Sequence, residues 1–306
     1  MNGIIIIDKP ERHTSFDVVA ILRKLCGERR MGHTGTLDPM ATGVLPVLMG
    51  QACRASDLLP VQDKEYIAGF RFGSTSDTED VWGDLRVVSD SPVTFDALER
   101  VAEGFRGEIS QIPPMYSAVK KDGQRLYTLA RQGIVVERKP KTVTVHALEF
   151  LSYDEGRREG VLRLHGSKGT YVRSIISGLG DALGVGGVMT ALRRTKASGF
   201  SLEQSITLEQ ARALHKQGGL ADQILPVEQG FLSLSVLYVS EKQAIRFKNG
   251  GGLDLERVPL SALDCPADGL RVRVRAPDET FLGLGALNFQ KNELSVFRLF
   301  CGGVQP

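Results

Sequence analysis

The chain has 306 residues, 42% of them hydrophobic and 24% charged, with a net charge of +2. These are the proportions of an ordinary soluble globular protein, long enough for one large domain and a small one. No uncharged apolar run reaches the roughly 18–20 residues that a membrane-spanning helix needs; the longest uncharged stretch, Pro39 to Cys53, is broken by proline and glycine.

In chain order, GIIIID at 3–8 reads as a buried strand that ends at Lys9-Pro10, where proline cannot continue a ladder. Four isoleucines before Asp8 and Lys9 are too few for a signal peptide. Thr14 or Ser15 can cap a helix carrying Val18, Val19, Leu22 and Leu25 at helical spacing. Residues 32–43 are punctuated by glycine and are expected to form a loop, followed by a short buried strand at 44–50. KEYIAGFRFG at 64–73 alternates as a strand with Tyr66, Ala68, Phe70 and Phe72 on one face. Residues 74–84 read as an acidic, solvated turn, and a helix begins near Thr94. Strands are expected at 142–153 and 160–165, and a helix after the turn GSKG at 166–169. A strand near 189–195 and a helix at 207–215 complete a mixed α+β domain of about 230 residues. Beyond it, a helix at 240–251 and three short strand candidates with glycine turns suggest a small barrel or sandwich.

The small net charge hides an uneven distribution. Residues 119–141 carry +5 and residues 157–198 carry +6, leaving −9 for the rest. Two basic segments on an otherwise acidic chain suggest a surface that meets phosphate. Aromatic content is only 7%, so broad stacking on single-stranded RNA is not the obvious mode. Cys26, Cys53, Cys265 and Cys301 form no CxxC pair and read as reduced core thiols of a cytoplasmic protein.

Several motifs fail on spacing. GLGDALG at 178–184 lies inside a helix, so it is no dinucleotide loop, and GSKGT lacks the upstream glycine of a phosphate loop. The run from Asp77 to Asp84 does not match a calcium loop, and there is no GxSxG elbow. What remains is GHTGTLDP at 32–39. Glycines at this density mark either a tight turn or a place where a ligand approaches the backbone. Asp38 precedes proline and is biased towards an extended conformation that projects its carboxylate. A single carboxylate with neither metal nor histidine base nearby could be a nucleophile or a lone general base. Arg173, near a helix start, is the available cation, or else a surface charge.

These residues carry a resemblance. IIIIDKP (4–10), GHTGTLDPMATGVLPVLMG (32–50), DKEYIAGFRFG (63–73), SDTED (76–80), IPPMYSAVKKDGQRLYTLARQG (112–133), GSKGTYVRSI (166–175) and ALRRT (191–195) follow one another as in the bacterial TruB family of tRNA pseudouridine synthases. The resemblance implies a pseudouridine-synthase fold, a mixed and largely antiparallel sheet flanked by helices, over residues 1–230, with a thumb insertion at about 111–141. It implies a small C-terminal PUA-like β-barrel over 231–306. It makes Asp38 the nucleophile, sets Tyr66 against the target uracil as a proposed base, and pairs Arg173 with Asp38. His33, Tyr171 and Leu192 would line the pocket of the flipped nucleotide, and Lys9 and Pro10 would sit behind the catalytic loop. The implied reaction is isomerisation of the T-loop uridine at tRNA position 55, with no cofactor and no metal. The partner would be tRNA, through its T-stem-loop and the acceptor arm, with neither membrane nor obligate protein partner. Two alternatives stand beside it: a guide-RNA-dependent relative, and a tRNA-folding helper whose catalysis is secondary or lost.

Overall fold

The computed structural model describes residues 1–301; the final five residues assigned above to the C-terminal unit lie outside it. Ten strands build the larger sheet. They are β1 (Gly3–Lys9), β2 (Met31–His33), β3 (Thr42–Met49), β4 (Lys64–Phe72), β5 (Gly107–Gln111), β6 (Lys141–Asp154), β7 (Glu159–Gly166), β8 (Gly187–Ala197), β9 (Phe200–Ser201) and β10 (Ile206–Thr207). Their order is β10-β1-β3-β8-β4-β7-β6-β5, with β9 on β8 and β2 on β3. Only β10–β1 and β3–β8 run parallel, so the sheet is mixed and largely antiparallel.

Both faces of β1 and β3 are covered, which is why their sequences are unbroken apolar runs where an open sheet would alternate. Ile5, Ile7, Leu45 and Val47 face a core shared with α1 (Ser15–Cys26), α2 (Phe95–Ala102), α4 (Val172–Ala182) and α5 (Leu208–Gln217). Ile4, Ile6, Val44 and Leu48 face the other way, into a cluster with Phe231, Leu284 and Phe300. α1 starts at the capping box of Thr14 and Asp17 and stops at Gly27, whose φ of +62° suits glycine. α4 lies close against β8 because Gly180 has no Cβ; one built there would stand 2.2 Å from the Gly186 carbonyl carbon. Gly178 and Gly180 of GLGDALG therefore serve helix packing, whereas Gly184, with φ of +73°, lies in the turn that follows the helix.

The smaller unit has five strands where three were expected: β11 (Val236–Tyr238), β12 (Leu253–Asp254), β13 (Arg271–Arg275), β14 (Phe281–Asn288) and β15 (Glu293–Leu299), ordered β11-β13-β14-β15-β12. β11 and β12 are three and two residues long, too short to show a period. α6 (Glu241–Lys248) packs on this sheet around its own core of Leu237, Phe247, Val272, Val274 and Leu294. The two units are joined by the cluster around Phe231 and by Glu228, buried between Arg273 at 2.9 Å and Arg275 at 2.6 Å. Among the described residues no helix is long and apolar enough to cross a membrane.

Three expectations need correction. Residues 31–33 and 42–43 join the sheet, so the loop shrinks to 34–41; these positions pair with neighbouring strands and carry no periodic pattern of their own. The acidic segment is not a fully solvated turn, because Asp80 is buried, Val81 donates to the Met189 carbonyl and Ser174 donates to Glu79 at 2.6 Å. All four cysteines are free, yet only Cys26 is a core thiol, and Cys265 is exposed.

Candidate active site

Residues 34–41 form a loop pinned from below on both sides of Asp38. The buried Ser15 hydroxyl donates to the Leu37 carbonyl and accepts from its N–H. The Pro39 carbonyl accepts from the Arg12 N–H at 2.8 Å and from Lys9 Nζ at 3.4 Å. Lys9 is wholly buried and also donates to the Pro10 and His13 carbonyls, which places it behind the loop as expected. The loop re-enters the sheet at Gly43, with φ of +103°; a Cβ there would stand 2.2 Å from the Arg194 carbonyl oxygen.

Asp38 meets Arg173 at 3.0 Å, Oδ2 to Nε. Arg173 is 4% exposed at the start of α4, whereas Asp38 keeps 34% of its side-chain surface, so the carboxylate is the open member of the pair. The other two guanidinium nitrogens are also engaged: Nη1 donates to the Thr78 carbonyl at 2.7 Å and Nη2 to the Tyr116 carbonyl at 2.9 Å. Asp80 lies 3.9 Å from Nη1. Crowding by protein pushes the Asp38 carboxyl above the ordinary carboxylate range; Arg173 opposes this and Asp80 adds to it. Arg173 therefore only partly offsets desolvation.

Tyr66 lies on the buried face of β4, opposite Leu164 of β7 and Arg194 of β8. Burial raises its hydroxyl pKa above the usual tyrosine value, with Arg194 opposing, so it is a phenol at neutral pH. Tyr171 stands at the N-cap position of α4 without a side-chain capping bond, and burial raises its hydroxyl pKa above the usual tyrosine value. Leu192, opposite Ala68, belongs to the same apolar cluster as Tyr66. Tyr66 and Tyr171 both lie within electrostatic reach of Asp38. His33 stands apart. It ends β2, makes no hydrogen bond to Asp38 or Arg173 among the described residues, and has a buried Nδ1 with no partner. Burial, Arg194 and Arg125 all lower its pKa, so the imidazole is neutral at pH 7.

Two contributors escaped the sequence reading. Asp80 was hidden in a run of exposed acids. Arg194 is 0% exposed, and its guanidinium donates to the Val44, Thr36 and Gly35 carbonyls at 2.8, 3.4 and 3.1 Å. A signal for Arg194 existed: strand period places it on the same face as Leu192. The described residues contain no group of three or more His, Cys, Asp or Glu arranged to hold a metal ion.

The two basic segments behave differently. In 157–198, Arg163, Arg173, Arg193 and Lys196 pair with carboxylates, Arg158 donates to backbone carbonyls and Arg194 is buried, so little free charge is left for phosphate. Residues 112–140, between β5 and β6, carry α3 (Leu126–Arg131) and a two-stranded ribbon. Their cations form no ion pair among the described residues; Lys121 and Arg138 reach only the backbone carbonyls of Glu137 and Pro113.

Comparison with known proteins supplies the class: a pseudouridine synthase, which is an isomerase. Residues 23–172 match the TruB family pseudouridylate synthase N-terminal domain, and residues 173–231 match the tRNA pseudouridylate synthase B C-terminal domain. The chain belongs to the TruB family of pseudouridylate synthases and is an isomerase by that membership. It is 41% identical over 291 residues to tRNA pseudouridine synthase B of Pseudomonas fluorescens, covering 94% of this chain and 92% of that protein. The Pseudomonas aeruginosa protein of the same name is 41% identical over 288 residues, covering 93% and 91%. Two solved structures are similar along the chain. One is an H/ACA RNP bound to a substrate RNA containing 2′-deoxyuridine, with TM-score 0.73, 25% identity and coverage of 98% of this chain and 85% of that one. The other is a Cbf5-Nop10-Gar1 complex, with TM-score 0.72, 28% identity and coverage of 98% and 84%. The fold is that of the pseudouridine synthases, with a PUA-like C-terminal sheet.

Proposed function

We propose that the protein isomerises the T-loop uridine at position 55 of tRNA to pseudouridine, with Asp38 as nucleophile. The observation that supports the assignment is the contact of Asp38 with the buried Arg173 at 3.0 Å, which leaves the carboxylate partly exposed. In the reaction the N1–C1′ bond breaks, the uracil turns, and a C5–C1′ bond forms. C5 loses a proton and N1 gains one; nothing is oxidised, so the chemistry balances without a cofactor. A uridine inside a folded T-loop must first leave its stack, which costs a few kcal/mol. A neutral imidazole such as His33 can recover about 1–3 kcal/mol by stacking. Tyr66 lies against the base, with Tyr171 and Leu192 completing the pocket. Residues 1–230 then form the catalytic unit and the C-terminal sheet an additional tRNA contact for the acceptor arm, in a cytoplasmic enzyme.

Isomerisation expels the C5 hydrogen, so the direct experiment is tritium release from a T-arm RNA carrying [5-³H]uridine. Near-stoichiometric release by the protein alone is expected. RNA binding without release would support the folding-helper reading instead, and release only with an added guide RNA would support the guide-dependent one.

The insertion accounts for the free positive charge if it closes over the RNA stem-loop as a thumb. Replacing Lys120, Lys121 and Arg125 by glutamine should then weaken tRNA binding. It should also reduce the slope of log affinity against log salt by roughly 2–3 units, about 0.7–0.9 for each phosphate no longer neutralised. An unaltered slope in filter-binding titrations counts against a thumb on the RNA.

A further inference from the structure

Arg194 is a fully buried cation that forms no ion pair among the described residues. Desolvating a guanidinium is expensive, and such groups are usually matched by a carboxylate. Here the three donors that make bonds end on carbonyls: Val44 in β3, and Gly35 and Thr36 in the catalytic loop. Arg194 thus holds the loop on either side of Asp38, at residues 35–36 and at 44. Its Cα lies opposite Tyr66 on one side and Gly43 on the other. The acidic groups that feel its charge are Tyr66 and Asp38. Lys9 and Lys64 lie in the same region, but burial pushes both down to about 8, and Arg194 contributes to each shift. An arginine keeps its charge at alkaline pH where lysines so shifted begin to lose theirs.

Resting on the isomerase reading above, we infer that Arg194 is a positioning residue for that reaction. By gripping Gly35, Thr36 and Val44 it aims Asp38 at a base lying against Tyr66. Its fixed buried charge also stabilises the negative charge that the uracil carries once the N1–C1′ bond has broken. That charge is absent from bound uridine, so the benefit appears in the rate and not in RNA affinity.

The experiment compares Arg194→Gln and Arg194→Lys with the parent, using single-turnover tritium release, filter binding of the same T-arm RNA, and thermal melting. The expected result is a rate at least ~100-fold lower for the glutamine variant, dissociation constants within ~3-fold of the parent for both, and a lysine variant at least ~10-fold faster than the glutamine one. Both variants keeping the parent rate would overturn the inference. So would equal rate losses in the two variants, or a loss of affinity in proportion to rate. If the glutamine variant does not fold, the lysine variant decides: with parent-like melting and affinity, a rate within ~10-fold of the parent supports a role for charge, and a loss beyond ~100-fold refutes it. No tritium release by the parent itself would refute the isomerase reading, and this inference with it.

Discussion

Asp38→Asn should lower the single-turnover rate by at least ~10³-fold while leaving tRNA affinity within a few-fold. That rate loss corresponds to about 4 kcal/mol of activation free energy. Attack at C6 of the uracil and action at C1′ of the ribose through a glycal intermediate both need an oxygen carrying full charge, and an amide has none. Asparagine is nearly isosteric, and its Oδ1 can still accept from Arg173 Nε, so the loop should keep its shape. Full activity in the variant would remove the nucleophile assignment. A pH dependence follows from the same geometry. Crowding raises the Asp38 carboxyl above its ordinary range, and the reaction needs the ionised form. The rate should therefore fall as pH is lowered through an apparent pKa above that range, and an acid limb at the ordinary carboxylate value would contradict the burial. The stability term has the opposite sign. A raised native pKa favours the protonated form, so this group contributes stability at low pH that is lost as pH rises through its native pKa.

Arg173→Lys should lower the rate by roughly 10²–10³-fold although the charge is kept. The guanidinium addresses Asp38, Thr78 and Tyr116 at 3.0, 2.7 and 2.9 Å from three separate nitrogens. One ammonium cannot satisfy three partners in those directions. At least one buried carbonyl is left without a donor, at about 1–3 kcal/mol, so melting temperature should fall together with rate. Single-turnover kinetics and a thermal melt check both parts. Unchanged kinetics would put Arg173 outside the reaction.

The difference between what the sequence discloses and what it hides is one of range. The buried strands, the cap at Thr94 and the helix carrying Arg173 follow local periodicity and capping, and the structure has them within a few residues. Asp38 and Arg173 are 135 positions apart, and only the colinear motifs suggested that they meet. Asp80 and Arg194 take their character from burial, which depends on segments far away in the chain. An acid among acids reads as solvated until Arg173 and Met189 are seen against its loop. The charge excess in 157–198 misled for the same reason, since its partners Asp8, Glu65 and Glu149 lie elsewhere in the sequence.

Glu228, held by Arg273 and Arg275 beside the cluster around Phe231, has a mechanical consequence. Separating the two units would expose apolar surface and strand charges that are buried only while paired. Both costs resist movement of one unit against the other.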